Sequence, residues 1–315
     1  MPAERSQPRT SVIMNCLNSA EYLRESIDSV YAQTCGDWEI IFWDNASTDE
    51  SAAIAHSYDG KLRYFRSPET VSLGKARNWA IEQAKGEFIA FLDCDDIWMP
   101  EKLEKQIKLF DLNPALGLVY SDTVFFNHRG DERQIYLKSK PPRGMIFKDL
   151  LANYFLSMET VVLRTKALRG LPERFDERLS MNEEADLFIR IAYGWEADYI
   201  DEPLAKWRVH AGSFTWKKQE LFAIESQMML DKYLKIFPGF EEEYKDEVES
   251  FRIKIAKQKF VNGWKRGDLR LRSSLRPYLT KDSRSLALYM ISFLPYRFAD
   301  AFLGYYRQRS GYVQP

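Results

Sequence analysis

The stretch FLDCDDIWMP, residues 91–100, decides how this chain is read. An apolar run drops directly into three carboxylates within four positions, Asp93, Asp95 and Asp96, whose charges repel one another if unpaired. Such a cluster is stable if it caps a following helix, if it is solvated in a loop, or if it holds a hard cation. Pro100 sits where a first helical turn tolerates proline, so a cap from Asp95 or Asp96 is reasonable, but a cap does not need three acids. A D-x-D pair in extended chain sets two oxygen donors on one face. Mg2+ and Mn2+ favour one or two carboxylates completed by phosphates and water, so the pattern suits a metal shared between the protein and a diphosphate. The motif alone is common by chance, and its surroundings decide its weight.

Outward from this stretch, strand-like and helix-like segments alternate. SVIMNCL (11–17), EIIFWD (39–44), LRYFRS (62–67) and EFIAFLD (87–93) read as strands. YLRESIDSVYAQ has its apolar residues at helical spacing, and Ser47 with Glu50 predicts a capping box for a helix running to Tyr58. A further helix is expected from about Lys75 to Lys85 with Gly86 as its stop, and another beyond Pro100. The alternation predicts an α/β fold with a mostly parallel sheet covered by helices on both faces. Ligands of such sheets bind beyond the carboxyl ends of the strands, where Asp44 and Asp93 both fall.

Further along, LGLVYSDTVFFN (116–127) precedes a hairpin-like HRGDERQ turn, TVVLR and DYIDEPLAKWRVH look extended, and EEADLFIRIAYG reads as a helix. From about Trp216 the pattern is nearly all helical, with Leu221, Ile224, Met228 and Met229 expected as one stripe. This predicts an α/β domain over residues 1–215 and a helical extension over 216–315.

With 315 residues and 45% hydrophobic content the chain can bury a large core. Three cysteines without paired spacing argue for a reducing compartment rather than a disulfide framework. The N-terminus lacks the apolar run of a signal peptide, and LALYMISFLPY (286–296) is too short to span a bilayer, so neither secretion by that route nor a transmembrane helix is expected. The net charge of −1 hides a division: from residue 251 on there are fourteen Lys and Arg against three Asp, a net +11 set against −12 before it.

Four ordered blocks carry a resemblance. SVIMNCLNSAEYLRESIDSVYAQTCGDWEIIFWDNASTDES, GKARNWAIEQAKGEFIAFLDCDDIWMPEKLEKQ, FDERLSMNEEADLFIRIA and LAKWRVHAGSFT together resemble the family 2 glycosyltransferases, whose nucleotide-sugar-binding fold is GT-A. The resemblance implies inversion at the anomeric carbon by a single displacement from a nucleotide diphosphate sugar, with a UDP-sugar expected, onto a glycan or lipid-linked glycan, as in cell-surface polysaccharide synthesis. It implies Mn2+ or Mg2+ at Asp95, Asp93 and His210. It implies nucleotide-sugar contacts from Asn18, Asp44, Lys75, Arg77, Asp93, Cys94 and Arg208, with Asp44 taking the base through an imide N–H. The general base matches Glu184, where the family often has aspartate, and Glu183 and Asp186 stand as alternatives. The chain departs from the family's usual pattern at Asn15-Cys16-Leu17-Asn18 and at Asp44-Asn45, where paired acids are usual.

The basic extension has a bland reading, a solvated or oligomer-forming helical face, and a functional one. Phe298, Ala301, Phe302 and Tyr305 share a face with Arg297 and Arg307 off it, which predicts peripheral association with an anionic membrane on the cytoplasmic side. Nucleic acid is not expected, since no recognised binding motif accompanies the basic residues. A sugar-phosphate nucleotidyltransferase would show a glycine-rich loop after the first strand, and NCLNSAEYL has no glycine. A receiver-like Mg-binding domain gives no reason for the blocks at 175–187 and 204–214. A nucleotide-sugar binder without transferase activity stands as the remaining alternative.

Overall fold

The computed structural model describes residues 7–213, 218–296 and 298–299, which divide into two compact units. The first comprises residues up to 147 together with 155–210, and the second comprises 148–154 together with residues from 211 on.

The first unit is built on one sheet. β1 (Thr10–Cys16), β2 (Trp38–Asp44), β3 (Leu62–Arg66) and β4 (Phe88–Phe91) run parallel in the order β3-β2-β1-β4. All seven residues of β2, WEIIFWD, are buried, as expected for a parallel strand covered on both faces. Beyond β4 the sheet becomes mixed and continues through β8 (Val162–Arg164), β6 (Leu116–Phe126), β9 (Glu196–Arg208) and β5 (Ile97–Trp98), with β7 (Glu132–Gln134) paired to β6 as a hairpin. Helices α1 (Ala20–Tyr31), α2 (Ser51–His56), α3 (Leu73–Glu82), α4 (Lys102–Leu112), α6 (Thr165–Arg169) and α7 (Glu183–Ala192) connect them. The main core includes Val12, Met14, Leu23, Ile27, Ile40, Phe42, Phe88, Leu103 and Phe110.

Several local expectations are corrected. Ser47 does not cap α2; its hydroxyl accepts from Asn18 N at 3.0 Å, and Asp49 instead accepts from Ser51 N. Helix α3 ends at Glu82, so Gly86 is not its stop. Gly86 is required by a close approach: a Cβ there would lie 2.5 Å from Ser11 N. Strand β5 had no signature in the sequence, because two residues carry no period.

The second unit holds α5 (Phe147–Ala152), α8 (Leu221–Ile236), α9 (Phe240–Glu243), α10 (Lys245–Lys265), a 3-10 segment (Leu269–Tyr278) and α11 (Ser283–Ile291). The expected stripe on α8 is corrected. Ala223, Ser226, Met229, Leu230 and Tyr233 face inward, and Ile224 is exposed. Ala256, Phe260, Trp264 and Leu275 form a separate small core. No described helix is long and apolar enough to cross a membrane. Of the expected amphipathic face, Phe298 is described and exposed, while Arg297, Ala301, Phe302, Tyr305 and Arg307 lie outside the described residues.

Candidate active site

Asp93, Asp95 and Asp96 follow β4 in a tight turn closed by Asp96 N donating to Asp93 O at 3.2 Å. Immediately after it, β5 pairs antiparallel with β9 in the register Ile97↔Lys206. Because the two strands run in opposite directions, the end of β9 is carried back over the turn. Arg208 N donates to Asp96 Oδ1 at 2.8 Å, Arg208 Nε donates to Asp95 O at 2.8 Å, and His210 Nε2 lies 2.9 Å from Asp95 Oδ2. Tyr22 meets the His210 ring edge-on at 5.3 Å.

These contacts separate the three acids. Asp96 is buried and pinned to the β9 backbone, which corrects its reading as a helix cap; burial, then Asp95 and Glu159, push it well above the usual carboxylate range. Arg208 is clamped between the Tyr22 and Phe126 rings and paired with Glu25 at 2.5 Å. These contacts let Arg208 shape the turn after β4. Asp95 and His210 are the two side chains of this group that face one another while partly exposed.

Arg77 links this turn to α7. Its side chain is 3% exposed, and it donates from Nη2 to Asp93 Oδ1 at 3.0 Å and from Nη1 to Glu183 Oε1 at 2.5 Å. Burial by itself would lower its pKa, but Asp93, Glu183 and Glu184 together raise it, so the guanidinium stays charged. Its fork binds two carboxylates 90 residues apart in sequence.

Helix α7 opens with Glu183, Glu184 and Asp186 in its first turn, where the helix dipole favours negative charge. Asp186 is fully buried and accepts from Arg190 Nε and Nη2 at 2.9 and 2.7 Å. That ion pair removes it as an alternative base. Glu183 is buried against Arg77. Glu184 is half-buried, and burial followed by the Glu183 charge pushes it up to about 8. It combines the needed basicity with partial access.

On the other side of β1, strand register sets Cys16, Asp44 and Arg66 side by side. Asp44 has no exposed surface and accepts from Ser47 N at 2.7 Å, Tyr64 Oη at 2.6 Å and Arg66 Nη1 at 2.5 Å. Arg66, with 47% of its side chain exposed, is the group that Asp44 presents outward. Sequence reasoning missed Arg66, since cross-strand register was its only signal. Asn18 adopts φ 53°, which asparagine tolerates, and its Oδ1 accepts from Thr48 N at 2.8 Å, tying the loops after β1 and β2 together. Ala46, also at positive φ, marks the second loop as strained. Lys75 lies over the Trp79 ring at 5.0 Å. The buried Cys94 thiol donates to Asn15 O at 3.3 Å.

Among the described residues no group of three His, Cys, Asp or Glu side chains converges as a metal site. The Asp95–His210 pair nevertheless fits a shared ion: cis ligands at about 2.1 Å from an octahedral cation stand about 3 Å apart, near the 2.9 Å between these two atoms. A separate cavity of about 470 Å³, lined by Gln7, Lys85, Gly86, Thr165, Lys166 and Arg169, contains none of these carboxylates.

Comparison with known proteins places the chain in a family. The chain is 33% identical over 66% of its length, and 73% of the relative's, to an uncharacterized glycosyltransferase of Methanocaldococcus jannaschii. It is 29% identical over 50% of its length, and 62% of the relative's, to the putative teichuronic acid biosynthesis glycosyltransferase TuaG of Bacillus subtilis. It spans only 39% of the length of two Rickettsia glycosyltransferases to which it is 28% identical over 74% of its own. Two solved structures share the fold. Residues 1–349 of S. aureus TarS with UDP-GlcNAc give a TM-score of 0.60 at 20% identity over 92% of both chains. A mannosyltransferase from Pyrobaculum calidifontis with GDP-Man and Mn2+ gives 0.61 at 17% identity over 95% of this chain and 85% of that one. Residues 11–170 match the sequence profile of Glycosyl transferase family 2, and the chain belongs to that family of glycosyltransferases.

Proposed function

We propose that the chain is a metal-dependent inverting glycosyltransferase that moves a sugar from a nucleotide diphosphate sugar, a UDP-sugar by preference, to a hydroxyl of a glycan or lipid-linked glycan. TuaG, named for teichuronic acid biosynthesis, supports an acceptor in cell-surface polysaccharide synthesis. One observation carries the reading: Arg77 binds Asp93 on the turn after β4 and Glu183 at the start of α7, so one buried guanidinium couples the Asp95–His210 pair to the helix that bears Glu184. The catalytic role is assigned to residues 1–215, and the 216–315 extension is assigned to surface contacts.

In this reading Glu184 takes the proton from the acceptor hydroxyl, whose oxygen attacks C1 of the sugar as the bond from C1 to the diphosphate oxygen breaks. Mn2+ or Mg2+ held by Asp95 and His210 would supply positive charge to the departing diphosphate. Arg77 holds Asp93 and Glu183 in place through its two ion pairs, and burial followed by the Glu183 charge raises the basicity of Glu184. Arg66, fixed by Asp44, meets the nucleotide side of the donor.

The test is thermal stabilisation and donor hydrolysis with UDP- and GDP-sugars in Mn2+, in Mg2+ and in EDTA. Stabilisation by UDP and hydrolysis of at least one UDP-sugar, both abolished by EDTA, are expected. If no nucleotide stabilises the protein with either metal, the reading fails.

A further inference from the structure

Helix α11 is built the wrong way round for a helix facing water. Its inner side carries Ser285 and Ser292, both buried, with Leu288, Tyr289 and Ile291 packed against the small core of Phe260, Trp264 and Leu275. At 100° per residue, the opposite side carries Leu286, Ala287 and Met290, followed in the next turn by Phe293 and Leu294. All five are exposed, Met290 and Phe293 by 62% and 61%, and Phe298 beyond them by 70%. After Ser283 and Arg284 in its first turn, the exposed residues of this helix are all apolar, whereas a face in water is normally polar.

The turn after α11 is held firmly. Trp264 Nε1 donates to Leu294 O at 3.2 Å, and Arg272 Nη2 donates to Ser292 O at 2.8 Å. The same Arg272 guanidinium lies 4.2 Å from the Phe293 ring centroid, so a cation sits at the border of the apolar patch. Between residues 265 and 298 the chain has eight Lys and Arg against two Asp, and both Asp are engaged locally, Asp268 with Arg270 and Asp282 with Lys257. No acid occurs from 283 to 296. Arg266, Arg276 and Arg284 are exposed. Lys281 is paired with Glu249 and Arg270 with Asp268, but the segment keeps an excess of cations, and an apolar face with Arg272 at its border matches an anionic lipid surface, where rings and aliphatic chains enter the acyl boundary and the cations meet headgroups.

We propose that the exposed apolar residues Leu286 and Met290 of α11, with Phe293, Leu294 and Phe298 in the segment that follows it, dock on an anionic membrane surface. This places the expected membrane contact on a segment N-terminal to the one the sequence pattern favoured. It does not rest on the donor chemistry, because binding is measured without nucleotide sugar or metal, and its failure leaves the proposed transferase reaction standing.

The test is co-sedimentation of the full chain with vesicles of phosphatidylglycerol and phosphatidylcholine, beside vesicles of phosphatidylcholine alone. Binding only to the anionic vesicles, weakening as salt is raised, is expected. The triple variant Leu286→Ser, Met290→Ser, Phe293→Ser should weaken binding by at least about tenfold while keeping the wild-type thermal transition, since the three side chains are exposed. Arg266→Gln, Arg276→Gln, Arg284→Gln should weaken it mainly at low salt. The proposal is overturned if the wild-type chain ignores the vesicles, or if the triple variant binds as well as the wild type. It is also overturned if light scattering shows a dimer that the triple variant dissolves with vesicle binding unchanged, which would make a second copy the occupant.

Discussion

The turn at 93–96 and the first turn of α7 at 183–186 each hold three acids within four positions, and each divides them in the same way. One acid is sacrificed to the framework: Asp96 to the backbone of β9 and Asp186 to Arg190. One is bound to Arg77: Asp93 on one side and Glu183 on the other. The third is half-buried, Asp95 beside His210 in one run and Glu184 in the other, while Asp93 keeps 41% of its side chain exposed beside Arg77. The difference lies in the backbone. A turn leaves Asp95 open to share a cation, whereas a helix start fixes Glu184 beside Glu183 and raises its basicity to about 8. Under the proposed reaction, equal composition thus gives a metal-side acid in one place and a base in the other.

The largest expected effect separates the two runs. Glu184→Gln should lower transfer by about 10²–10⁴-fold while UDP still stabilises the protein in Mn2+, and Asp95→Asn should reverse that pattern by losing the Mn2+-dependent stabilisation. Equal loss of stabilisation in both variants would break the division of roles. Next, Arg77→Leu removes the shared partner and should cost about 3–5 kcal/mol of stability, measured by denaturant unfolding. Arg77→Lys should recover only part of it, because an ammonium lacks the fork that reaches two carboxylates.

The pH profile sharpens the comparison. Glu184 must be ionised to accept a proton, so kcat/KM should rise with pH, about tenfold per unit below its value near 8. Its folded pKa is raised above the unfolded one, so the folded state binds the extra proton between the two values. Glu184 therefore stabilises the fold at low pH, and that contribution declines as pH rises toward 8. In Glu184→Gln the rising limb should vanish and the stability slope in that window should flatten. The smallest effect concerns the helix that delivers Arg77: Ser72 caps α3 by accepting from Lys75 N at 3.4 Å, and Ser72→Ala should cost about 1 kcal/mol with little change in kcat.

Much of this architecture was legible in the residues. The continuous apolar runs of β1, β2 and β4, separated by amphipathic segments, specify the parallel part of the sheet, and the acids at the ends of β2 and β4 mark its carboxyl edge. The side-chain partners were not legible. Asp44 reads as an open carboxylate until the register with β3 sets Arg66 beside it. Arg77 reads as a surface cation of an amphipathic helix until Asp93 and Glu183 close on it from segments 16 and 106 residues away.

By itself, then, the sequence determined the α/β alternation, the family and the positions of the two acidic runs, because these rest on local period and composition. Only the tertiary structure decided which partner each acid meets. The choice depends on β5, two residues long, which by pairing with β9 carries His210 back onto Asp95, and on one guanidinium that spans both acidic runs. Pairing between distant segments leaves no periodic trace in a chain, but it sets the distances at which charges attract, and those distances divide the framework acids from the reactive ones.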